Sequence, residues 1–347
     1  MRKNRTLFVR TDGNSEIGMG HLMRCLTIAE ACRELHMEVC FLLADDACVH
    51  MVRERGFQSR ILDTDYRQMD SELPQLSPIL SGEENALLLV DSYQVTGNYL
   101  QTLSDILPVI YMDDLGERVW PVQAIINYNH YATHLPYETW YRSSRTKLLL
   151  GSIYAPLRPI FAGAGADYEV RLQVKNILIL TGGSDSLRIA EKLAENLKSD
   201  EITLQVVCGP FSQSLDRLQE LEQEWGTERL KVHSNVSDMA SLMAACDLAV
   251  SAAGSTLYEL CTVGVPTISF TFADNQLAGA TEFDRIGLIP YAGDFRQEPE
   301  KALGEIRRQV ERLCADSRVR RTLSCRMREI IDGRGAIRLA EELAGLE

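Results

Sequence analysis

A chain of 347 residues with 45% hydrophobic and 24% charged side chains has an ordinary globular composition, too long for one core and suited to two domains. The net charge of −13 excludes a general nucleic-acid or anionic-membrane surface, so an anionic ligand would need backbone dipoles or a local arginine. No apolar run approaches the roughly 20 residues of a membrane span, and the basic start at Arg2, Lys3 and Arg5 meets Asp12 too soon for a signal peptide. Nine cysteines without a Cys-x-x-Cys pair suit packing thiols in a reducing cytoplasm better than a zinc or disulfide framework, so a cytoplasmic protein is expected.

Taken in order, residues 6–9 form a short apolar strand that feeds a loop carrying Asp12, Gly13, Gly18 and Gly20. From His21 onward, Leu22, Cys25, Leu26, Ile28 and Ala29 recur at helical spacing, which predicts a helix from about Gly20 to Leu35. A strand, a glycine loop and a helix start converge free N–H groups and a positive helix end on one spot, where an anion can sit beside His21. Against this stands the plain reading of His21 as a helix cap in a loop that is neither a Walker A nor a G-x-G-x-x-G sequence.

Further strands are predicted at 38–44, 56–62, 86–90, 108–112 and 124–126. The last three end in Asp91-Ser92-Tyr93, Asp113-Asp114 and Asn127. Polar residues repeated at carboxyl ends of strands mark the ligand edge of an open α/β sheet, although each singly is an ordinary turn residue. Residues 63–84 read as a polar helix-and-loop segment, and 151–175 as a connection. The pattern then restarts at 176–180, followed by Thr181-Gly182-Gly183-Ser184-Asp185. Strands follow at 204–208, 230–233, 248–250 and 266–270, and a helix opens at Gly254-Ser255-Thr256. The tail from about 300 is helical. The expected architecture is α/β: two Rossmann-like doubly wound domains, 1–155 and 176–347, joined by a linker at 156–175 and facing across a cleft.

The pieces Arg10, Asp12, Gly18-Met19-Gly20-His21, Arg24-Cys25, Val90-Asp91-Ser92-Tyr93, Asp113-Asp114, Thr181 to Asp185, Ala253-Gly254-Ser255-Thr256 with Glu259, and Ala273-Asp274-Asn275-Gln276 together resemble the PseG family of the MurG-like GT-B superfamily. These enzymes hydrolyse UDP-2,4-diacetamido-2,4,6-trideoxy-β-L-altropyranose in pseudaminic acid biosynthesis. The resemblance covers residues 7 to about 290. It implies that water attacks the anomeric carbon with inversion, releasing UDP, with His21 as base and no cofactor or metal. It also implies the ribose diol on Glu259, the diphosphate on the N–H groups of Gly254, Ser255 and Thr256, and close backbone approach at Gly182, Gly183 and Ser184. The loop of Gly18, Met19 and Gly20 would close over the phosphates, with Asp12 and Arg24 pairing to fix it. Asn275 and Gln276 would reach the hexose or its N-acyl groups. Tyr93 and Asp91 would line the sugar side, with Asp113 and Asp114 as weaker candidates. Asp63-Thr64-Asp65 has the spacing of some metal-holding pairs but lies away from these motifs and reads as a solvated turn. The rival readings are an inverting GT-B glycosyltransferase with a nucleotide-sugar donor and a non-catalytic nucleotide-sugar-binding protein.

Overall fold

The computed structural model describes residues 5–346 except 15 and 210, with the side chains of 184 and 211 also outside the description. Arg2, Lys3 and the Ser184 side chain, all named above, therefore lie outside the described residues. The chain divides into two compact units, Met1–Leu157 with Arg334–Glu347, and Arg158–Gly333.

In the first unit the strands are β1 (Thr6–Thr11), β2 (Glu38–Leu43), β3 (Gln58–Ile61), β4 (Ala86–Asp91), β5 (Val109–Met112), β6 (Ala124–Asn127) and β7 (Lys147–Leu150). They form one sheet in the order β3-β2-β1-β4-β5-β6-β7, and every pairing is parallel. Ala86 to Asp91 is buried at all six positions, the continuous apolar run that a strand covered on both faces requires. The chain leaves β1 in one direction and returns at β4 on its other side. The crevice above the carboxyl ends of β1 and β4, where Thr11 and Asp91 lie in register, is thus the topological switch point. The first helix, α1 (Gly20–Glu34), starts at this crevice and buries Leu22, Cys25, Leu26, Ile28, Ala29 and Cys32.

In the second unit the strands are β8 (Asn176–Leu180), β9 (Ser184–Asp185), β10 (Thr203–Cys208), β11 (Phe211–Ser212), β12 (Leu230–Ser234), β13 (Leu248–Ala252), β14 (Thr267–Thr271) and β15 (Tyr291–Asp294). Six of them form a parallel sheet in the order β12-β10-β8-β13-β14-β15, while β9 and β11 pair separately. The switch point here falls between β8 and β13, where Leu180 and Ser251 are in register. Both glycine motifs of this half leave their strands at that point. Ile177, Ile179, Val206, Val250, Ile268 and Phe270 pack with Leu193 and Ile306 from the helices into a single core.

In domain organisation the structure departs from the sequence reading in two places. Residues 158–175 are part of the second unit rather than a free connection: the Tyr168 hydroxyl donates to the Cys246 carbonyl at 3.1 Å, and Arg171 pairs with Asp247 at 2.8 Å. The last helix, Gly335–Ala344, belongs to the first unit, where its buried Ala336, Leu339, Ala340 and Leu343 cover α1. Arg5 donates to the carbonyls of Leu343 at 3.2 Å and Ala344 at 3.0 Å, and Arg338 donates to that of Ile153 at 3.0 Å. Gly335 is required by close approach, since a β-carbon there would lie 2.1 Å from the Ala155 carbonyl oxygen. The tail's apolar spacing was evident, but nothing local in it names the unit it covers.

Leu339 is fully buried in this seam. Leu339→Ala is expected to destabilise the first unit by about 2–5 kcal/mol, as a core leucine truncation does. Denaturant unfolding monitored by circular dichroism checks this, and an unchanged midpoint would remove the last helix from the core.

Candidate functional site

At the first switch point, α1 starts without a side-chain cap, so His21 does not serve as one. Its ring is instead turned inward, and Nδ1 lies 2.7 Å from Oδ1 of Asp91 at the end of β4. A carboxylate can only accept, so Nδ1 carries a proton and donates, and in the neutral ring Nε2 is then the nitrogen with a lone pair. Asp91 is 1% exposed. It accepts from Arg24 as well, at 2.6 Å from Nε and 2.5 Å from a terminal nitrogen, and the Cys25 thiol donates to it at 3.4 Å. One turn of α1 thus supplies His21, Arg24 and Cys25 to a single carboxylate.

Burial alone would push the Asp91 carboxyl up, but the Arg24 guanidinium and His21 outweigh it and hold the group well below the usual carboxylate range. The Cys25 thiol, buried beside that carboxylate, is pushed well up and stays protonated, in keeping with its role as donor. Arg24 continues outward to Asp114 at 2.7 Å and receives the Tyr128 ring face at 5.6 Å. Tyr93 donates to Asp114 at 3.0 Å and sets its ring edge-on to His21, with centroids 4.7 Å apart. Tyr93 is 38% exposed, and its ring is the open wall of this group.

Several expected positions are placed differently. Asp12 does not pair with Arg24. It accepts from Arg10 at 2.5 Å and from the Ala44 N–H at 2.8 Å, so its buried carboxylate fastens the end of β1 to the end of β2. Asp91 faces inward to His21 rather than outward as a lining group. Asp113 is buried, accepting from Tyr137 at 2.8 Å and from the Gly116 N–H at 3.1 Å, and burial raises its pKa. The segment containing Asp63 and Asp65 is not remote from the motifs. Thr64 N–H donates to the Ala44 carbonyl at 3.0 Å, Tyr66 donates to Glu16 in the glycine loop at 2.6 Å, and fully buried Glu72 forms a bidentate pair with Arg10. Glu72 went unread in the sequence, yet Met69, Glu72, Leu76 and Leu80 share one spacing of three and four, which marks Glu72 as facing the core. Gly18 takes φ +74°, the left-handed turn that brings the loop round to Met19 and the start of α1.

At the second switch point the chain leaves β8 through Gly182 at φ +83°. This turn is seated on Gly209, where a β-carbon would lie 2.3 Å from the Gly182 carbonyl oxygen, a requirement the sequence reading missed. Asp185 caps the helix Ile189–Leu197, accepting from Ile189 N–H at 2.7 Å and Ala190 N–H at 2.9 Å. Beyond β13, the Gly254 N–H is spent on the Ala252 carbonyl at 2.9 Å, so it is not one of the free donors expected there. Ser255 and Thr256 open the helix Thr256–Val263, in whose first turn the Leu257 and Tyr258 N–H groups donate to the Gly254 and Ser255 carbonyls at 3.1 and 3.0 Å. Glu259, in that first turn, pairs with Arg158 at 3.2 Å; burial raises its pKa and Arg158 offsets part of the rise. Arg158 carried no sequence signal. Asn275 is exposed at the start of the helix Asp274–Arg285, while the Gln276 side-chain oxygen accepts from Phe272 N–H at 2.9 Å.

Residues 177–288 match the model of the glycosyltransferase family 28 C-terminal domain. Over 348 aligned positions, 96% of both chains, the protein is 26% identical to the spore coat polysaccharide biosynthesis protein SpsG of Bacillus subtilis. It is 22% identical over 290 positions to the pseudaminic acid cytidylyltransferase and UDP-2,4-diacetamido-2,4,6-trideoxy-β-L-altropyranose hydrolase of Helicobacter pylori. That alignment takes in 83% of this chain and 47% of that one, about half the relative's length. The crystal structure of Acinetobacter baumannii MurG superposes with a TM-score of 0.71 at 13% identity, covering 97% of this chain and 99% of that one. The fold is GT-B, with two parallel-sheet Rossmann-like halves.

The depressed Asp91 carboxyl has a stability consequence. A group held below its ordinary value of 3.8 contributes stability above that pH and loses it as the medium becomes more acid. Asp91→Asn, which leaves Arg24 short of a buried partner, is expected to cost about 3–5 kcal/mol at pH 7. The gap to wild type should narrow steadily below about pH 4. Unfolding curves collected from pH 7 to pH 2.5 test this; a gap independent of pH would mean that Asp91 is not ionised against Arg24.

Proposed function

We propose that the protein is a hydrolase that cleaves a UDP-linked diacetamido-trideoxy sugar to free sugar and UDP, a reaction of pseudaminic acid-type nonulosonic acid biosynthesis. The observation that carries this reading is the His21–Asp91 pair. Its proton-bearing Nδ1 is fixed by a buried carboxylate, in the neutral ring Nε2 is then the lone-pair nitrogen, and the ring stands edge-on to the exposed Tyr93. That arrangement suits a general base. Water attacks the anomeric carbon, its proton passes to Nε2, the bond from that carbon to the β-phosphate oxygen breaks, and UDP leaves with the electron pair. A single displacement inverts the anomeric centre. Asp91 steadies the imidazolium that forms, as an acceptor for Nδ1–H, without taking the proton.

The second unit is assigned the nucleotide. The N–H groups of Ser255 and Thr256 at a helix start, with the Gly182–Gly183 turn at the same switch point, suit the diphosphate. Glu259 suits the ribose diol. The hydrolase activity in the Helicobacter pylori relative's name supports the reaction, and the family 28 match supports nucleotide-sugar chemistry on this half. The reaction is expected to proceed without metal, the backbone dipoles taking the leaving charge. The family 28 match also favours a second reading, inverting transfer of the sugar to a hydroxyl acceptor.

Incubation with UDP-2,4-diacetamido-2,4,6-trideoxy-β-L-altropyranose in H₂¹⁸O separates these readings. Hydrolysis at carbon places the label on the anomeric oxygen of the released sugar and none in UDP. Label in the β-phosphate, or no turnover until an alcohol acceptor is added, would refute it. His21→Asn should lower turnover by about 10²–10⁴ with UDP affinity unchanged, since the phosphates are held elsewhere.

Glu259→Ala should weaken UDP by roughly 10- to 150-fold in calorimetric titration, the worth of a charge-assisted pair of hydrogen bonds. An unaltered titration in a folded variant would leave Glu259 as the partner of Arg158 and nothing more.

A further inference from the structure

The group around His21 holds more charge than a base and its orienting carboxylate need. Arg24 is bound to two carboxylates, Asp91 at 2.5 Å and Asp114 at 2.7 Å, and its terminal nitrogen also lies 3.1 Å from His21 Nδ1. With a neutral imidazole these four side chains sum to one negative charge, and a proton on His21 brings the sum to zero. The guanidinium so close to the ring opposes an imidazolium, and the carboxylates favour one. Asp114 is held in this balance from three further directions. Tyr93 donates to it at 3.0 Å from the β4 side, the Asn129 amide at 3.4 Å from beyond β6, and Tyr131 donates to its backbone carbonyl at 3.0 Å. Tyr128 accepts from Arg24 at 3.1 Å, and Cys25 donates to Asp91. The neighbouring Asp113 is committed to Tyr137 and the Gly116 N–H.

Resting on the reading of His21 as base, we infer that Arg24 and Asp114 are positioning residues that set how readily His21 takes and holds a proton. Arg24 anchors Asp91 against the ring, and Asp114 cancels the part of the Arg24 charge that would otherwise act on it. The two residues therefore act in opposite senses. Removing the Asp114 charge leaves Arg24 balanced by Asp91 alone, takes one negative charge from around the ring and makes the proton harder to hold. Removing the Arg24 charge leaves two carboxylates and makes it easier to hold.

The test is a pH titration of the whole chain with ¹⁵N-labelled histidine followed by NMR, the His21 signal being assigned by its loss in His21→Asn. In Asp114→Asn the His21 midpoint should fall by about one pH unit, and in Arg24→Gln rise by a similar amount. Arg24→Lys should return it toward wild type. The acid limb of the kcat/KM profile on UDP-2,4-diacetamido-2,4,6-trideoxy-β-L-altropyranose should move in the same directions. Midpoints that stay put, or move the same way in both variants, overturn the inference; should Arg24→Gln not fold, the direction in Asp114→Asn decides alone. Wild-type turnover in His21→Asn overturns the hydrolytic reading itself. An inactive His21→Asn with unmoved midpoints overturns only the roles of Arg24 and Asp114.

Discussion

A carboxylate at the end of a fully buried strand must be neutralised where it stands, and Asp91 is that constraint. β4 runs through the centre of the first sheet with no solvent on either face, so its last side chain emerges into the protein and not into water. Satisfying it takes the whole first turn of α1, with His21, Arg24 and Cys25 all directed at it. The tautomer of the imidazole, the exposed ring of Tyr93 beside it and the outward reach of Arg24 to Asp114 follow from that single requirement.

A second buried charge secures the loop before the helix. Arg10 lies wholly inside the sheet, paired with Asp12 and Glu72, and Asp12 in turn ties the loop to Ala44. Removing Arg10 would leave two uncompensated carboxylates in the interior, and removing either carboxylate would strip the guanidinium of one of its buried partners, so the network defines one arrangement of the loop. The polar stretch between β3 and β4 thereby acquires a function: it delivers Glu72. The two halves use the same topological device, a switch point with glycine turns, for different chemical ends. The first carries an ionic cluster, the second backbone dipoles.

Much of this was legible from residues alone. Apolar runs ending in Asp91, Asp113 and Asn127 located the strands and their carboxyl edge, because parallel strands covered on both faces have no other way to read. The Gly20 start of α1 and the turns at Gly182 and Gly254 were legible for the same local reasons. What escaped was whatever depends on partners far apart in the chain. Arg24 was matched with Asp12, nearby in sequence, when its partners lie 67 and 90 residues away. Glu72 and Arg158 carry no local pattern that names their partners. The strand Lys147–Leu150 went unread because it is short and only partly buried.

The return of the last helix to the first unit has a consequence for how the molecule is made. Synthesis proceeds from the N-terminus, and domains ordinarily fold as they emerge. Here the nascent first half emerges with the apolar flank of α1 uncovered, and the residues that cover it are translated only after the whole of the second half. The second half, a continuous segment, can close on the ribosome while the first still waits. The half that carries the proposed base therefore reaches its finished form only after the second half has been made.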